Sequence, residues 1–257
     1  MRGNRLLDVL LVLVCGAVLA GWWGWRRTPA EPAVTSTPAP AALRGSQERW
    51  QRLYDGAWQA FARPDVAEAE RLLLDSLAEA ERIGLDSSAL DGSLTGLSTF
   101  YYNQQREEEA DRIVADYLER REVQLGAEHP AVAELLMLQG ARLLGNRRDY
   151  PAAERVYRRA LAIRETSLGP GHPKVGEALV NLSETLALSG RYEESVPLFE
   201  RAIALYDANP RLDDSFIALL YRNRAALLER CGRAREAAAM LETAGATTRT
   251  RGLATPE

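Results

Sequence analysis

The segment Leu-Gly-Ala-Glu-His-Pro at residues 125–130 returns as Leu-Gly-Pro-Gly-His-Pro at residues 168–173. The glycine of each copy can take the left-handed conformation that ends a helix, and the proline suits the first turn of the next helix. The first segment begins at residue 125 and the second at residue 168. The stretch between them is long enough for two helices and one tight turn. The sequence therefore predicts a repeat array built from helix pairs.

A small residue in the second helix of each pair sets the register of the array. In the third pair the turn falls at Gly145–Asp149, and Ala153, Tyr157 and Ala160 follow it at helical spacing. The small residue recurs every 41 to 43 positions, which predicts five pairs: Ala69, Ala110, Ala153, Ser195 and Ala237. Because alanine is the commoner residue at this position, Ser195→Ala is expected to be neutral or stabilising.

The fourth pair carries a motif that resembles a known family. It begins Gly190-Arg191-Tyr192, continues with Ser195 and Phe199, and ends with Ala202 and Ile203, behind a Leu-Gly-x-x-His-Pro joint. This pattern resembles tetratricopeptide repeats, specifically the 42-residue repeats of kinesin light chains. The resemblance implies an all-α solenoid of about five antiparallel helix pairs, wound as a right-handed superhelix, that binds peptides or partner proteins in a concave groove.

The same resemblance indicates which residues would line that groove, because the first helix of each pair forms the concave wall. Asn181 and Asn223 correspond to the asparagine with which peptide-binding relatives grip the ligand backbone, and an amide can donate and accept hydrogen bonds at once. The candidate groove residues are Tyr54, Asp55, Trp58, Thr99, Tyr102, Asn103, Glu134, Met137, Glu177, Asn181, Glu184, Arg222, Asn223 and Arg230. The alternative is that these polar residues form an ordinary solvated helix face.

The charge composition limits the classes of partner that the chain is expected to bind. The 257 residues carry a formal net charge of −4 from interspersed charges of both signs, whereas a nucleic-acid surface requires a basic excess on one face. Nucleic acid is therefore not expected as a partner. The resemblance implies a protein or peptide partner, and no small-molecule substrate is expected.

The N-terminus is expected to contact a membrane. Residues 6–25 are apolar except for Asp8, long enough to cross a bilayer, and end in a cluster of tryptophans typical of the interface. We interpret residues 1–27 as an uncleaved signal anchor that leaves the repeats on the extracytoplasmic side, in the periplasm or outside the cell. Cleavage after Ala20, which would release a secreted or periplasmic protein, and lipidation at Cys15 are the alternatives.

Three further segments follow the anchor. Residues 28–45 are rich in proline, alanine and threonine, and such a composition favours an extended linker. The repeat domain is predicted at residues 46–250, and residues 251–257 form a polar tail.

No segment predicts catalysis. His129 and His172 are the only histidines, and each stands before a proline at a joint, without a second ligand at metal-binding spacing. The pairs of neighbouring acidic residues stand at helix starts, where the helix dipole favours negative charge. The sequence therefore predicts a non-enzymatic, membrane-tethered scaffold for protein–protein interaction, without cofactor or metal; the alternative is a structural subunit of an envelope or secretion assembly.

Overall fold

The structure, a computed structural model, describes residues 41–207 and 214–250, which fold into two compact units. The N-terminal unit, Ala33–Asn146, contains helices α1 (Ala41–Ala62), α2 (Val66–Ile83), α3 (Ser88–Asn103), α4 (Glu107–Leu125) and α5 (Pro130–Arg142). The C-terminal unit, Arg147–Glu257, contains α6 (Tyr150–Leu168), α7 (Pro173–Leu188), α8 (Tyr192–Asp207), α9 (Asp214–Arg230) and α10 (Ala234–Thr250). A π-helical turn, Leu143–Arg147, spans the boundary between the units.

The joints between pairs are built as the sequence predicts. Gly126 and Gly169 end their helices with φ of 98° and 87°, and a histidine then caps the next helix. The Nδ1 atom of His129 accepts a hydrogen bond from the Ala131 amide, and that of His172 accepts one from the Lys174 amide, both at 3.2 Å. The two histidines therefore satisfy amides of the helix start that would otherwise lack a partner.

The turns inside the pairs share a conformation that the sequence only partly reveals. A residue with positive φ stands two positions before each of the five second helices: Pro64 (30°), Gln105 (59°), Arg148 (51°), Gly190 (86°) and Gly232 (73°). Glycine adopts this region freely, whereas in other residues the close approach of Cβ to the backbone raises the conformational energy. Gln105 and Arg148 thus occupy positions that favour glycine.

The predicted register of small residues is confirmed. Ala69, Ala110, Ala153, Ser195 and Ala237 are all buried, with at most 1% of their surface exposed. Each unit has a hydrophobic cluster of its own, formed by residues between Trp50 and Leu135 in the N-terminal unit and between Val175 and Ala237 in the C-terminal unit. Tyr157 is also buried, as its spacing predicts.

The structure argues against the expectation for Ser195. Its hydroxyl lies 2.7 Å from the Ser183 hydroxyl and 2.8 Å from the Ser183 carbonyl oxygen, to which it donates, and both side chains are fully buried. The Ser183 hydroxyl in turn donates to the Ser195 carbonyl oxygen at 2.9 Å. Alanine at position 195 would remove part of a buried hydrogen-bonded pair between α7 and α8, so we expect the substitution to be destabilising.

The first helix begins at Ala41, within the segment predicted as the linker. Residues 41–44 are Ala-Ala-Leu-Arg, which are strong helix formers, and Pro40 stands just before them, where a proline does not interrupt the helix. None of the helices within residues 41–207 and 214–250 has the length and hydropathy needed to cross a membrane. The predicted anchor at residues 1–27, most of the linker and the tail at residues 251–257 lie outside the described residues.

Candidate partner-binding faces

The candidate residues of the N-terminal unit all lie on the first helices of the pairs. α1 carries Tyr54, Asp55 and Trp58, α3 carries Thr99, Tyr102 and Asn103, and α5 carries Glu134 and Met137. Asp55, Thr99, Tyr102 and Asn103 are exposed, and the other four are half-buried. Tyr102 is the most exposed large aromatic side chain of the unit, at 43%.

An aromatic row follows α1 along this face. Trp50 stacks on Tyr54 with ring centroids 5.4 Å apart, Tyr54 meets Trp58 edge-on at 6.1 Å, and Trp58 meets Phe61 edge-on at 5.9 Å. Tyr54 also fills the space above Gly96 of α3, where a Cβ atom would lie 2.9 Å from its ring. The row therefore joins α1 to α3 and leaves Tyr54 and Trp58 partly accessible.

The candidate residues of the C-terminal unit lie on α7 and α9. Asn181 is half-buried, and its backbone carbonyl oxygen accepts a hydrogen bond from the Thr185 hydroxyl. Asn223 is half-buried too, and its Nδ2 atom is buried without a hydrogen-bond partner among the described residues. These two amides, 42 positions apart in the sequence, are the polar groups of this face best suited to a peptide backbone.

The charged candidates of this unit differ in accessibility. Glu177 forms an ion pair with Arg164 at 3.2 Å, and Glu184 is buried, so neither carboxylate projects freely from the face. Arg222 is exposed. Arg230 is exposed as well, but its guanidinium lies over the ring of Tyr192, 5.4 Å from the centroid.

The sequence did not reveal three buried arginines, Arg121, Arg142 and Arg164, of which the first and the last occupy equivalent positions before the joints. Arg121 at the end of α4 has no exposed surface, and its Nη1 atom donates to Asp91 Oδ1 at 2.7 Å and to the Ala131 carbonyl oxygen at 2.6 Å. Its Nε atom donates to the Leu85 carbonyl oxygen at 2.7 Å. One guanidinium thus joins α3, the α2–α3 connection and the first turn of α5.

Arg164 repeats this contact in the C-terminal unit. It is 2% exposed, and its Nη1 atom donates to the Lys174 carbonyl oxygen in the first turn of α7 at 2.6 Å. Arg121 and Arg164 stand five residues before Gly126 and Gly169, so their recurrence was visible in the sequence. What the sequence did not indicate is that arginine, usually a surface residue, would be buried there.

Most other ion pairs lie on the second helices. Arg106 bridges Glu70 of α2 and Glu109 of α4, and Arg191 bridges Glu154 of α6 and Glu194 of α8. Hydrogen bonds from Arg191 lower the pKa of the Glu194 carboxyl, and Arg106 does the same for Glu109. These networks link successive second helices within each unit, α2 to α4 and α6 to α8.

The described residues show no grouping of three or more histidine, cysteine, aspartate or glutamate side chains that could hold a metal ion. The candidate residues on the first helices carry hydrogen-bonding groups, aromatic rings and charged groups.

Comparison with known proteins agrees with this architecture. Models of the tetratricopeptide repeat match residues 92–131 and 141–208. Among solved structures, BtubC (BKLC) from P. vanneervenii is 18% identical, with a TM-score of 0.66 over 85% of this chain and 95% of that chain. A putative kinesin light chain with nearly identical TPR-like repeats from Podosopora anserina is 19% identical, with a TM-score of 0.59 over 85% of this chain and 100% of that chain.

Residues 92–131 and 141–208 thus match tetratricopeptide repeats, and the chain shares its fold with a putative kinesin light chain. MamA protein shares the fold at 15% identity, with a TM-score of 0.51 over 82% of this chain and 98% of that chain. No curated protein matches the sequence. Tetratricopeptide repeats generally serve as scaffolds for protein–protein interaction.

Proposed function

We propose that this protein is a non-catalytic, membrane-tethered scaffold that holds a peptide or a partner protein on the faces formed by the first helices of its repeats. The partner's main chain would be bound by the amides of Asn181 and Asn223, and its side chains by the flanking polar and aromatic residues.

The observation that carries this proposal is the Nδ2 atom of Asn223. A buried donor without an acceptor costs about 1–3 kcal/mol, so buried polar groups normally have a partner. Because this atom has almost no accessible surface, binding would require the Asn223 side chain to turn outward. An extended peptide laid along α7 and α9 would then offer it a carbonyl oxygen, and Asn181 lies on the neighbouring first helix. The cost carried by the free protein would then be recovered on binding.

The test is a pull-down from a detergent extract with the full chain as bait. The double variant Asn181→Ala and Asn223→Ala should lose a dominant soluble partner. Gln124→Ala removes an exposed amide from the second helix α4 and serves as the matched control. Retention of the same partner by the double variant would refute binding through these amides.

The tether rests on the apolar run at residues 6–25 and its tryptophan edge. We propose that residues 1–27 anchor the chain and that the repeats lie on the extracytoplasmic side. The full-length protein should pellet with membranes, resist carbonate extraction and keep its N-terminus. A soluble mature form starting at Gly21 would instead identify the secreted alternative.

One observation favours the second candidate, a structural subunit of an envelope or secretion assembly. Several exposed large apolar residues lie on second helices, away from the candidate faces: Leu74, Val123, Leu168 and Leu241. Val123 is 78% exposed. A stoichiometric membrane complex that survives the asparagine substitutions and is lost with Val123→Asp would support this candidate.

A further inference from the structure

We infer that Met240 is a site of reversible oxidation by peroxides and that the Arg224 guanidinium holds the resulting sulfoxide, so that oxidation strengthens the contact between α9 and α10. The inference concerns a covalent modification of the last helix pair. It goes beyond the proposed function and does not depend on it, because it uses none of the candidate partner-binding residues.

The sulfur of Met240 meets a cation inside the last helix pair. Arg224 lies on α9 and Met240 on α10, and the Nη1 atom of Arg224 donates a hydrogen bond to Met240 Sδ at 3.1 Å. The methionine packs against the hydrophobic cluster of the C-terminal unit but is only half-buried. A small oxidant can therefore reach a side chain whose position is already set by its neighbours.

The guanidinium of Arg224 is short of strong hydrogen-bond acceptors. Its Nη2 atom is paired with Glu200 of α8, whereas its Nη1 atom donates to a thioether sulfur, which is a weak acceptor. Its Nε atom is buried without a hydrogen-bond partner among the described residues. A stronger acceptor on the side chain at position 240 would therefore stabilise a cation that its present contacts satisfy incompletely.

Oxidation supplies such an acceptor. A lone pair of the thioether sulfur attacks one oxygen of hydrogen peroxide, the O–O bond breaks, and the proton of the transferred oxygen passes to the departing hydroxide, which leaves as water. Sulfur loses two electrons, the peroxide gains them, and the product is methionine sulfoxide. The sulfoxide oxygen carries a partial negative charge, so a hydrogen bond to it from a charged donor is stronger than one to a thioether.

The ordinary effect of methionine oxidation has the opposite sign. A sulfoxide is polar and disrupts the apolar contacts of a packed side chain. Met137 of α5 provides the comparison, because it is also half-buried and, among the described residues, no guanidinium donates to its sulfur. The same modification should therefore destabilise the protein at position 137 and stabilise it at position 240.

The experiment uses the full chain in detergent micelles with the substitution Met137→Leu, which leaves Met1 and Met240 as the methionines that can be oxidised. Mass spectrometry of proteolytic peptides follows the oxidation of Met240 by hydrogen peroxide in the folded protein. Circular dichroism then measures the melting temperature. The stronger hydrogen bond should raise it by about 2–4 °C, and methionine sulfoxide reductases should restore the original value.

Two variants assign this effect to the guanidinium. In Arg224→Leu the sulfoxide has no cation to bond, so oxidation should lower the melting temperature by about 2–4 °C instead. Arg233→Leu is the matched control, because Arg233 is bonded to Glu236 and not to the sulfur. There oxidation should raise the melting temperature as it does with Arg233 in place. Hydrogen exchange at α10 should become slower on oxidation only where Arg224 is present.

Two outcomes overturn the inference. If oxidation of Met240 lowered the melting temperature equally with and without Arg224, the guanidinium would not hold the sulfoxide. If Met240 stayed unoxidised until the chain unfolded, its sulfur would not be a modification site of the native protein. The proposed function fails separately, in the pull-down with the asparagine variants.

Discussion

Replacing Arg121 by alanine tests how the helix pairs are joined. The substitution removes a fully buried guanidinium that donates to Asp91 and to the carbonyl oxygens of Leu85 and Ala131, at 2.6 to 2.7 Å. Loss of one member of a buried ion pair costs about 3–5 kcal/mol, chiefly because the other charge stays behind unpaired. Asp91 is 19% exposed and can recover some hydration, so we expect about 3 kcal/mol.

The matched control is the neighbouring residue. Arg120 pairs with Glu81 at 2.7 Å, but its side chain is 44% exposed, so Arg120→Ala should cost no more than about 1 kcal/mol. Arg121→Lys keeps the charge but cannot reproduce the fork of three hydrogen bonds, and it should recover only part of the loss.

Thermal melts of the full chain followed by far-ultraviolet circular dichroism measure the difference. With about 2–4 °C of melting temperature per kcal/mol in a protein of this size, Arg121→Ala should melt roughly 6–12 °C below the parent. Hydrogen exchange should become faster at the first turn of α5, to which the guanidinium is bonded. Equal melting of Arg121→Ala and Arg120→Ala would show that the buried guanidinium does not hold the joint.

Three further predictions concern single contacts. Gln105→Gly should stabilise the protein by about 0.5–1 kcal/mol, because glycine relieves the positive φ, and Gly190→Ala should destabilise it by about 1–2 kcal/mol in the same denaturant titration. Ser195→Ala should cost about 1 kcal/mol by urea unfolding, and an unchanged midpoint would contradict the role of its buried hydroxyl. Burial, followed by the hydrogen bond to Glu81, raises the pKa of Tyr117 from 10.0 to about 12, so the unfolded chain releases this proton first. Stability should therefore fall between pH 10 and 12, and Tyr117→Phe should flatten that part of the profile.

The sequence predicted the helix pairs and their register because these depend on local signals. Gly126 and Pro130 mark a joint by backbone preference alone, and the recurrence of small residues such as Ala153 follows from close helix packing. These signals can be recognised without knowing which helix packs against which. The structure therefore has the joints and the buried small residues at the predicted positions.

Contacts between helices were harder to predict, since they depend on which distant groups meet. Nothing local shows that Arg121 reaches Asp91, 30 positions away, or that Ser195 is bonded to Ser183. For the same reason the sequence indicated which helices carry the candidate residues but not which of these side chains are accessible. Glu184 is buried, whereas Tyr102 is exposed.

The π-helical turn between the two units has a consequence for limited proteolysis. Gly145 and residues 147–149 are exposed, and Arg147 and Arg148 offer trypsin two cleavage sites. The hydrophobic clusters of the units end at Leu135 and resume at Val175, so a cut at this turn severs the chain without removing a residue from either cluster. Brief digestion should therefore yield two stable fragments that separate near this turn, and each fragment can be tested alone for the partner that it binds.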